Sequence, residues 1–183
     1  MTKNLRIVLL TLALAACSKD PGTGQVPGVG DDTILIGSSS ALTGHASFLG
    51  SQYTLGSKVW FEEVNAAGGI HGRRIEFLTY DDAYEPDKTV TNTRRLIAED
   101  RVLMLFDYVG TPTTVRIIDV VHDEDIPAFG FLTGAETLRT PFRPNMFHVR
   151  ASYYQEAEGA AAYFVDHLGL EKIAVMHQDD AFG

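Results

Sequence analysis

The sequence predicts an α/β protein with a doubly wound parallel sheet, and three observations carry that expectation. From residue 33 onward, short β-branched or apolar runs alternate with longer stretches of helical periodicity. The runs are separated by Gly, Pro and Asp, the residues that stop helices and turn chains. The chain has 183 residues, 45% of them hydrophobic and 21% charged, which suits a globular domain with a real core. Repeated strand–helix–strand units of this length imply parallel strands covered by helices on both faces.

The elements follow in order. Thr33–Gly37 (TILIG) reads as a buried strand. Gln52–Ala67 reads as a helix with Leu55, Val59, Trp60 and Val64 on one apolar arc, stopped by Gly68-Gly69. Arg74–Tyr80 is the second strand, and Pro86–Glu99 a helix with proline in its first turn. Val102–Phe106 is the third strand. Pro112–Glu124 is expected as one helix, with Val115, Ile118, Val121 and His122 in a stripe and Thr111 as its cap. Pro127–Leu132 and Asn145–Arg150 are further strands. Tyr153–Leu168 is a helix with Tyr153, Ala157, Ala160, Ala161, Phe164 and Leu168 on one side, and Lys172–His177 is a last strand.

The first residues belong to a different category. Lys3 and Arg6 precede an apolar run, Ile7–Ala16, broken only by Thr11. It is too short to span a bilayer, which takes about 20 residues, and it ends in small residues as a secretory signal does. Leu14-Ala15-Ala16-Cys17 resembles the bacterial lipobox, and Cys17 is the only cysteine in the chain. Residues 1–16 are therefore expected to be removed, leaving Cys17 lipidated and residues 17–32, with their four glycines and two prolines, as a flexible tether.

Composition excludes several function classes. The net charge is −9, and without Lys3 and Arg6 it is −11. With no basic cluster, nucleic acid is not an expected partner. One cysteine permits neither an internal disulfide nor a cysteine-based zinc site. The six histidines have no HxH or HxxxH spacing, Ser38-Ser39-Ser40 is no nucleophile elbow, and no Lys-Ser or Lys-Thr pair follows a glycine-rich loop. Asp81-Asp82 and Asp179-Asp180 read as solvated turns, with a working carboxylate pair as the alternative. No nucleophile–base constellation is found, so no enzyme and no cofactor are expected.

In such sheets a ligand sits at the carboxyl ends of the strands. The loops there, 38–50, 81–87, 107–114 and 131–138, are rich in Ser, Thr and Gly. Thr111, Thr113 and Thr114 at a helix start, and Thr133 with Gly134 and Ala135, offer hydroxyls and accessible N–H groups for a carboxylate or similar anion. For Thr111 the plainer reading is a helix cap, and for Thr133 and Gly134 a turn.

Taken in order, Ile34–Gly37, Leu42-Thr43-Gly44, Gly50, Glu63–Ile75 (EVNAAGGIHGRRI) and Tyr80-Asp81-Asp82 resemble the start of the branched-chain amino acid binding proteins. Those are extracytoplasmic solute receptors of ABC importers, with the type I periplasmic binding fold. VGTPTT, PAFGFLTGAETLR and IAVMHQDDAFG continue the resemblance, which covers residues 33–183. It implies two α/β lobes closing on a small ligand, with a permease as partner and contact with a membrane through the lipid alone. Thr111 falls where the family uses a Ser or Thr hydroxyl. Leu132 and Gly134 fall in a loop that gives further contacts, with Thr133 as substitute for a hydroxyl residue at Gly134. Leu49 falls at an often aromatic pocket position, for which Phe48 stands in, and Phe182 at a Tyr position of the second lobe.

The resemblance further implies that 33–150 is the first lobe, incomplete, and 151–183 the start of a second, truncated and poorly packed. The expected function is a lipid-anchored receptor for a small amino acid, carboxylate or amide, held periplasmically or extracytoplasmically. The rivals are a sensory ectodomain on the same fold and, further off, a flavodoxin-like enzyme.

Overall fold

The computed structural model describes residues 26–183. The apolar run, Cys17 and most of the expected tether lie outside the described residues. The elements are β1 (Thr33–Ser40), α1 (Ser47–Ala66), β2 (Arg74–Asp81), α2 (Pro86–Ala98), β3 (Leu105–Phe106), α3 (Thr111–Val115), α4 (Ile118–Asp123), β4 (Ala128–Phe129), β5 (Met146–Phe147) and α5 (Tyr153–Ala162). The strands form one five-stranded sheet in the order β2-β1-β3-β4-β5, and every pairing is parallel. This is the expected doubly wound α/β sheet.

The order reverses at β1. The chain moves outward from β1 to β2 and then back across to β3. Right-handed crossovers in opposite directions put α1 and α2 on opposite faces. Phe61 of α1 meets Phe77 and Phe106 edge-on or tilted on one face. On the other, Leu96 of α2 reaches within 2.7 Å of where a Gly37 Cβ would stand. That second face holds the core: Leu96, Leu105, Tyr108, Ile117, Val121, Phe131 and Leu138 are fully buried or nearly so. Each such side chain contributes roughly 1.5–3 kcal/mol through burial.

Several elements differ from expectation for local reasons. Residues 26–32, read as tether, are folded against the sheet. Leu35 N donates to Gly28 O at 2.7 Å, and Arg73 Nε donates to Gly30 O at 2.9 Å. Gly28 lies so close to Leu103 that a Cβ would stand 2.1 Å from its nitrogen. Gly28 O thus takes the Leu35 N–H on the β3 side of β1, residues 103 and 104 keep one bond each to β1 (Leu103 N to Leu35 O at 2.8 Å, Gly37 N to Met104 O at 3.1 Å), and β3 is two residues long. The α1 helix starts five residues early, at Ser47, because Gly50 packs its first turn onto the backbone of Ala41. Its expected apolar arc faces outward: Leu55, Val59 and Trp60 are exposed, and Gly50 and Thr54 are the buried positions.

The single helix expected at 112–124 is two short ones. The break falls at Arg116–Ile117, where Ile117 N donates to Thr114 O at 3.2 Å, three residues back, in place of a bond four residues back. The strands at 127–132 and 145–150 shorten to two residues each. The last helix turns π-helical at Tyr163–His167. Its expected apolar side is exposed apart from Tyr153, and Lys172–His177 forms no strand. Residues 154–183 are exposed throughout.

Candidate functional site

The order reversal opens a crevice between the loops that follow β1 and β3, where ligands sit in open α/β sheets. A cleft of about 650 Å³ lies there. His45, Ala46 and Leu49 line it after β1, and Val109, Gly110 and Thr111 after β3. Tyr84, Leu132, Arg150 and Tyr153 complete its walls, and Phe182 reaches it from the end of the chain.

Thr111 is 1% exposed, yet it lines this cleft. It does not cap its helix. The cap position is Gly110, at φ +100°, which frees the Thr111 side chain for another use. Its Oγ1 lies 2.7 Å from Thr133 Oγ1, and Thr133 Oγ1 in turn accepts from Ala135 N at 3.2 Å. Either hydroxyl can be the donor of this pair; with Thr133 donating, the Thr111 hydroxyl keeps its own proton for a ligand in the cleft. The two loops that carry threonines are thereby tied together at one point. Because α3 has only five residues, its N-terminus adds little field, and the hydroxyl pair is the stronger polar element.

The sequence-derived residues divide into two groups. Thr111, Leu132 and Phe182 line the cleft, and Thr133 stands directly behind Thr111. Gly134 supports the wall: a Cβ there would stand 2.9 Å from Tyr153 Cδ1. Thr113 is fully buried, with its hydroxyl turned back to Val109 O and Gly110 O, away from the cleft. Phe48 is 75% exposed and outside the cleft, whereas its neighbour Leu49 lines it.

The acid pair is the largest departure. Asp82 is fully buried, not solvated, and accepts from Ser39 Oγ (2.8 Å), Thr89 Oγ1 (3.0 Å) and Tyr84 N (2.9 Å). Burial pushes its carboxyl up, against the pull of those hydrogen bonds. Asp81 accepts from Leu42 N, Thr43 N, Thr43 Oγ1 and Ala83 N. Its carboxyl is held below the usual range: burial pushes up, but the four donors outweigh it. Both acids are saturated, so neither is a free acid or base. They clamp the loops after β1 and β2 and so set His45 and Tyr84 at the cleft.

Sequence reasoning missed His45, Tyr84, Arg150 and Tyr153 as wall residues. A signal for the last existed: Ser152-x-x-Gln155 is a capping box, observed with both reciprocal bonds, and it fixes where α5 begins. Arg150, just before it, forks onto Glu156 with Nε–Oε1 at 3.0 Å and Nη2–Oε2 at 2.7 Å. Among the described residues no group of three His, Cys, Asp or Glu could hold a metal, and no helix is long and apolar enough to cross a membrane.

A family model described as periplasmic binding protein matches residues 33–183. The chain belongs to the periplasmic binding protein family. An amino acid binding protein of Pseudomonas aeruginosa is 30% identical over 82% of this chain and 40% of its own length. The Leu/Ile/Val-binding protein homolog 3 of Brucella melitensis is 28% identical over 82% and 40%. The solved substrate-binding periplasmic protein from Ralstonia solanacearum superposes with a TM-score of 0.75 at 30% identity, over 82% of this chain and 42% of that one. The chain thus spans about two-fifths of the length of these relatives. Its sheet is the type I periplasmic binding fold, and the family is one of binding proteins, not enzymes.

Proposed function

We propose that the chain supplies the first-lobe half of the ligand cleft of a solute receptor that serves an ABC importer. The ligand is a small amino acid, or a related carboxylate or amide, taken between two lobes. The observation that carries this reading is the Thr111–Thr133 hydroxyl pair at a cleft that Leu49, Val109 and Leu132 line together with His45, Tyr84 and Arg150. Hydroxyl and cationic groups beside aliphatic walls suit an anionic head group on a compact apolar body. Leu132, Thr133 and Gly134 form the loop under that head group, and Phe182 covers the ligand from the second lobe. Hinge closure on the ligand is the signal read by the permease. The receptor works outside the cytoplasmic membrane, tethered by lipid on Cys17. This part of the reading rests on the lipobox-like Leu14–Cys17. It needs no cofactor and no nucleic acid.

Thermal unfolding of the full-length protein against amino acids, amides and small carboxylic acids tests the reading. A ligand at ~100 times its dissociation constant adds about 2.7 kcal/mol. A raised midpoint with at least one class is expected. A flat response to the whole panel contradicts it.

A further inference from the structure

The cleft has a second chemical character beside the hydroxyl pair. Tyr84 and Tyr153 lie far apart in sequence, yet each ring is seated on a glycine. A Cβ on Gly110 would stand 2.2 Å from Tyr84 Cε2, and one on Gly134 would stand 2.9 Å from Tyr153 Cδ1. Gly110 immediately precedes Thr111, and Gly134 immediately follows Thr133. Each ring is thus anchored one residue from the hydroxyl pair, on a site that any larger residue would deny it.

Neither ring is free to swing aside. Tyr84 sits at φ +66° after Ala83 at φ +53°, a run of two left-handed residues that the loop must hold in place. It is held by Asp82, whose Oδ1 accepts from Tyr84 N and whose carbonyl accepts from Glu85 N at 2.8 Å. The ring meets His45 edge-on at 5.2 Å. Tyr153 opens α5 behind the capping box, and its N donates to Gly134 O at 2.8 Å. The Arg150 guanidinium stands 5.3 Å from its ring centre. Both rings are half-buried, and both line the cleft.

We infer that Tyr84 and Tyr153, with His45 beside them, are specificity-determining walls that fit the site to a carboxylate carrying a flat aromatic ring, in preference to a branched aliphatic amino acid. The inference rests on the receptor reading and names the ligand class of that same cleft. Fixed rings offer a flat guest edge-to-face and offset contacts, each favouring it by about two- to tenfold beyond area alone. A branched aliphatic group makes no such oriented contact.

The test is calorimetry on the full-length protein with benzoate, 4-hydroxybenzoate and L-phenylalanine against L-leucine and L-valine. At least one aromatic carboxylate is expected to bind about tenfold tighter than L-leucine. Tyr84→Leu and Tyr153→Leu should each shrink that ratio several-fold, while Tyr84→Phe, which keeps the ring, should preserve it. Should a leucine variant fail to fold, the wild-type ratio and Tyr84→Phe still decide. Tighter binding of L-leucine, or a ratio unmoved by Tyr84→Leu, overturns the inference and leaves the receptor reading standing. Binding of neither series overturns the inference, and the receptor reading falls with it only if the wider panel of amino acids, amides and small acids also gives no thermal shift.

Discussion

Replacing Asp107 with asparagine should stabilise the protein at alkaline pH and remove one component of its pH dependence. Asp107 follows β3 at φ +68°, is 1% exposed, and its Oδ2 has no hydrogen-bond partner among the described residues. Burial pushes its carboxyl from an ordinary 3.8 up to about 7, with the Ser57 hydroxyl pulling the other way. The raised value fixes the sign. Between about pH 4 and about pH 7 the folded chain keeps a proton that the unfolded chain has released, so stability falls as pH rises through that window and levels off above it. A shift of about three units at 1.36 kcal/mol each corresponds to roughly 4 kcal/mol across the window. Asparagine keeps the shape, tolerates the left-handed backbone and has no proton to lose. Urea unfolding of both proteins at several values between about pH 4 and pH 8 reads the difference directly. The stability gap should widen in favour of Asp107→Asn as pH rises and stop widening above about 7. Burial lowers the pKa of His148, which opposes the trend in both proteins and cancels in their difference. Parallel curves would refute the reasoning, because a buried carboxyl whose desolvation outweighs its one hydroxyl partner cannot be indifferent to its charge.

Three further outcomes follow from the same geometry. Asp82→Ala leaves Ser39 Oγ and Tyr84 N without their acceptor, while Thr89 keeps Glu85 O at 3.1 Å; two orphaned donors should cost roughly 2–5 kcal/mol in urea unfolding. Gly50→Ala places a Cβ 2.1 Å from Ala41 O, and since the obstacle is backbone it should cost at least about 1–3 kcal/mol of stability. Thr133→Val removes the hydroxyl that pairs with and orients Thr111, and should weaken binding of a carboxylate ligand by about tenfold in calorimetry with the fold retained.

Much of the fold was legible because it depends on local pattern. Strand β1 was read from TILIG, β2 from RIEFLTY and α2 from its proline start, and the alternation of elements carried the sheet class. What stayed hidden was set by partners distant in sequence. The solvation of Asp82 could not be seen from a DD pair, because its fate is decided by Ser39 and Thr89 on other elements. The outward arc of α1 was misjudged because helical periodicity shows a stripe without showing what it faces, and Gly50 and Thr54 turned out to be the sheet-side positions. The break in the helix after β3 falls at Arg116–Ile117, where no Gly or Pro marks it, and only one of its three threonine hydroxyls faces the cleft. The crevice itself followed from the rule that ligands sit at the strand ends, through which Thr111 and Thr133 were found, whereas Leu132 came from the family resemblance. Tyr84 and Tyr153 were not, because a glycine seat shows only when two loops meet.

The central claim is that the Thr111–Thr133 pair holds the ligand's head group at the order reversal of the sheet. A crystal structure of the full-length protein with a bound carboxylate tests it most directly. The account predicts a carboxylate oxygen within hydrogen-bond reach of Thr111 Oγ1, with the ligand body between Leu49 and Leu132. A ligand held elsewhere, with the Thr111 hydroxyl untouched, would contradict it.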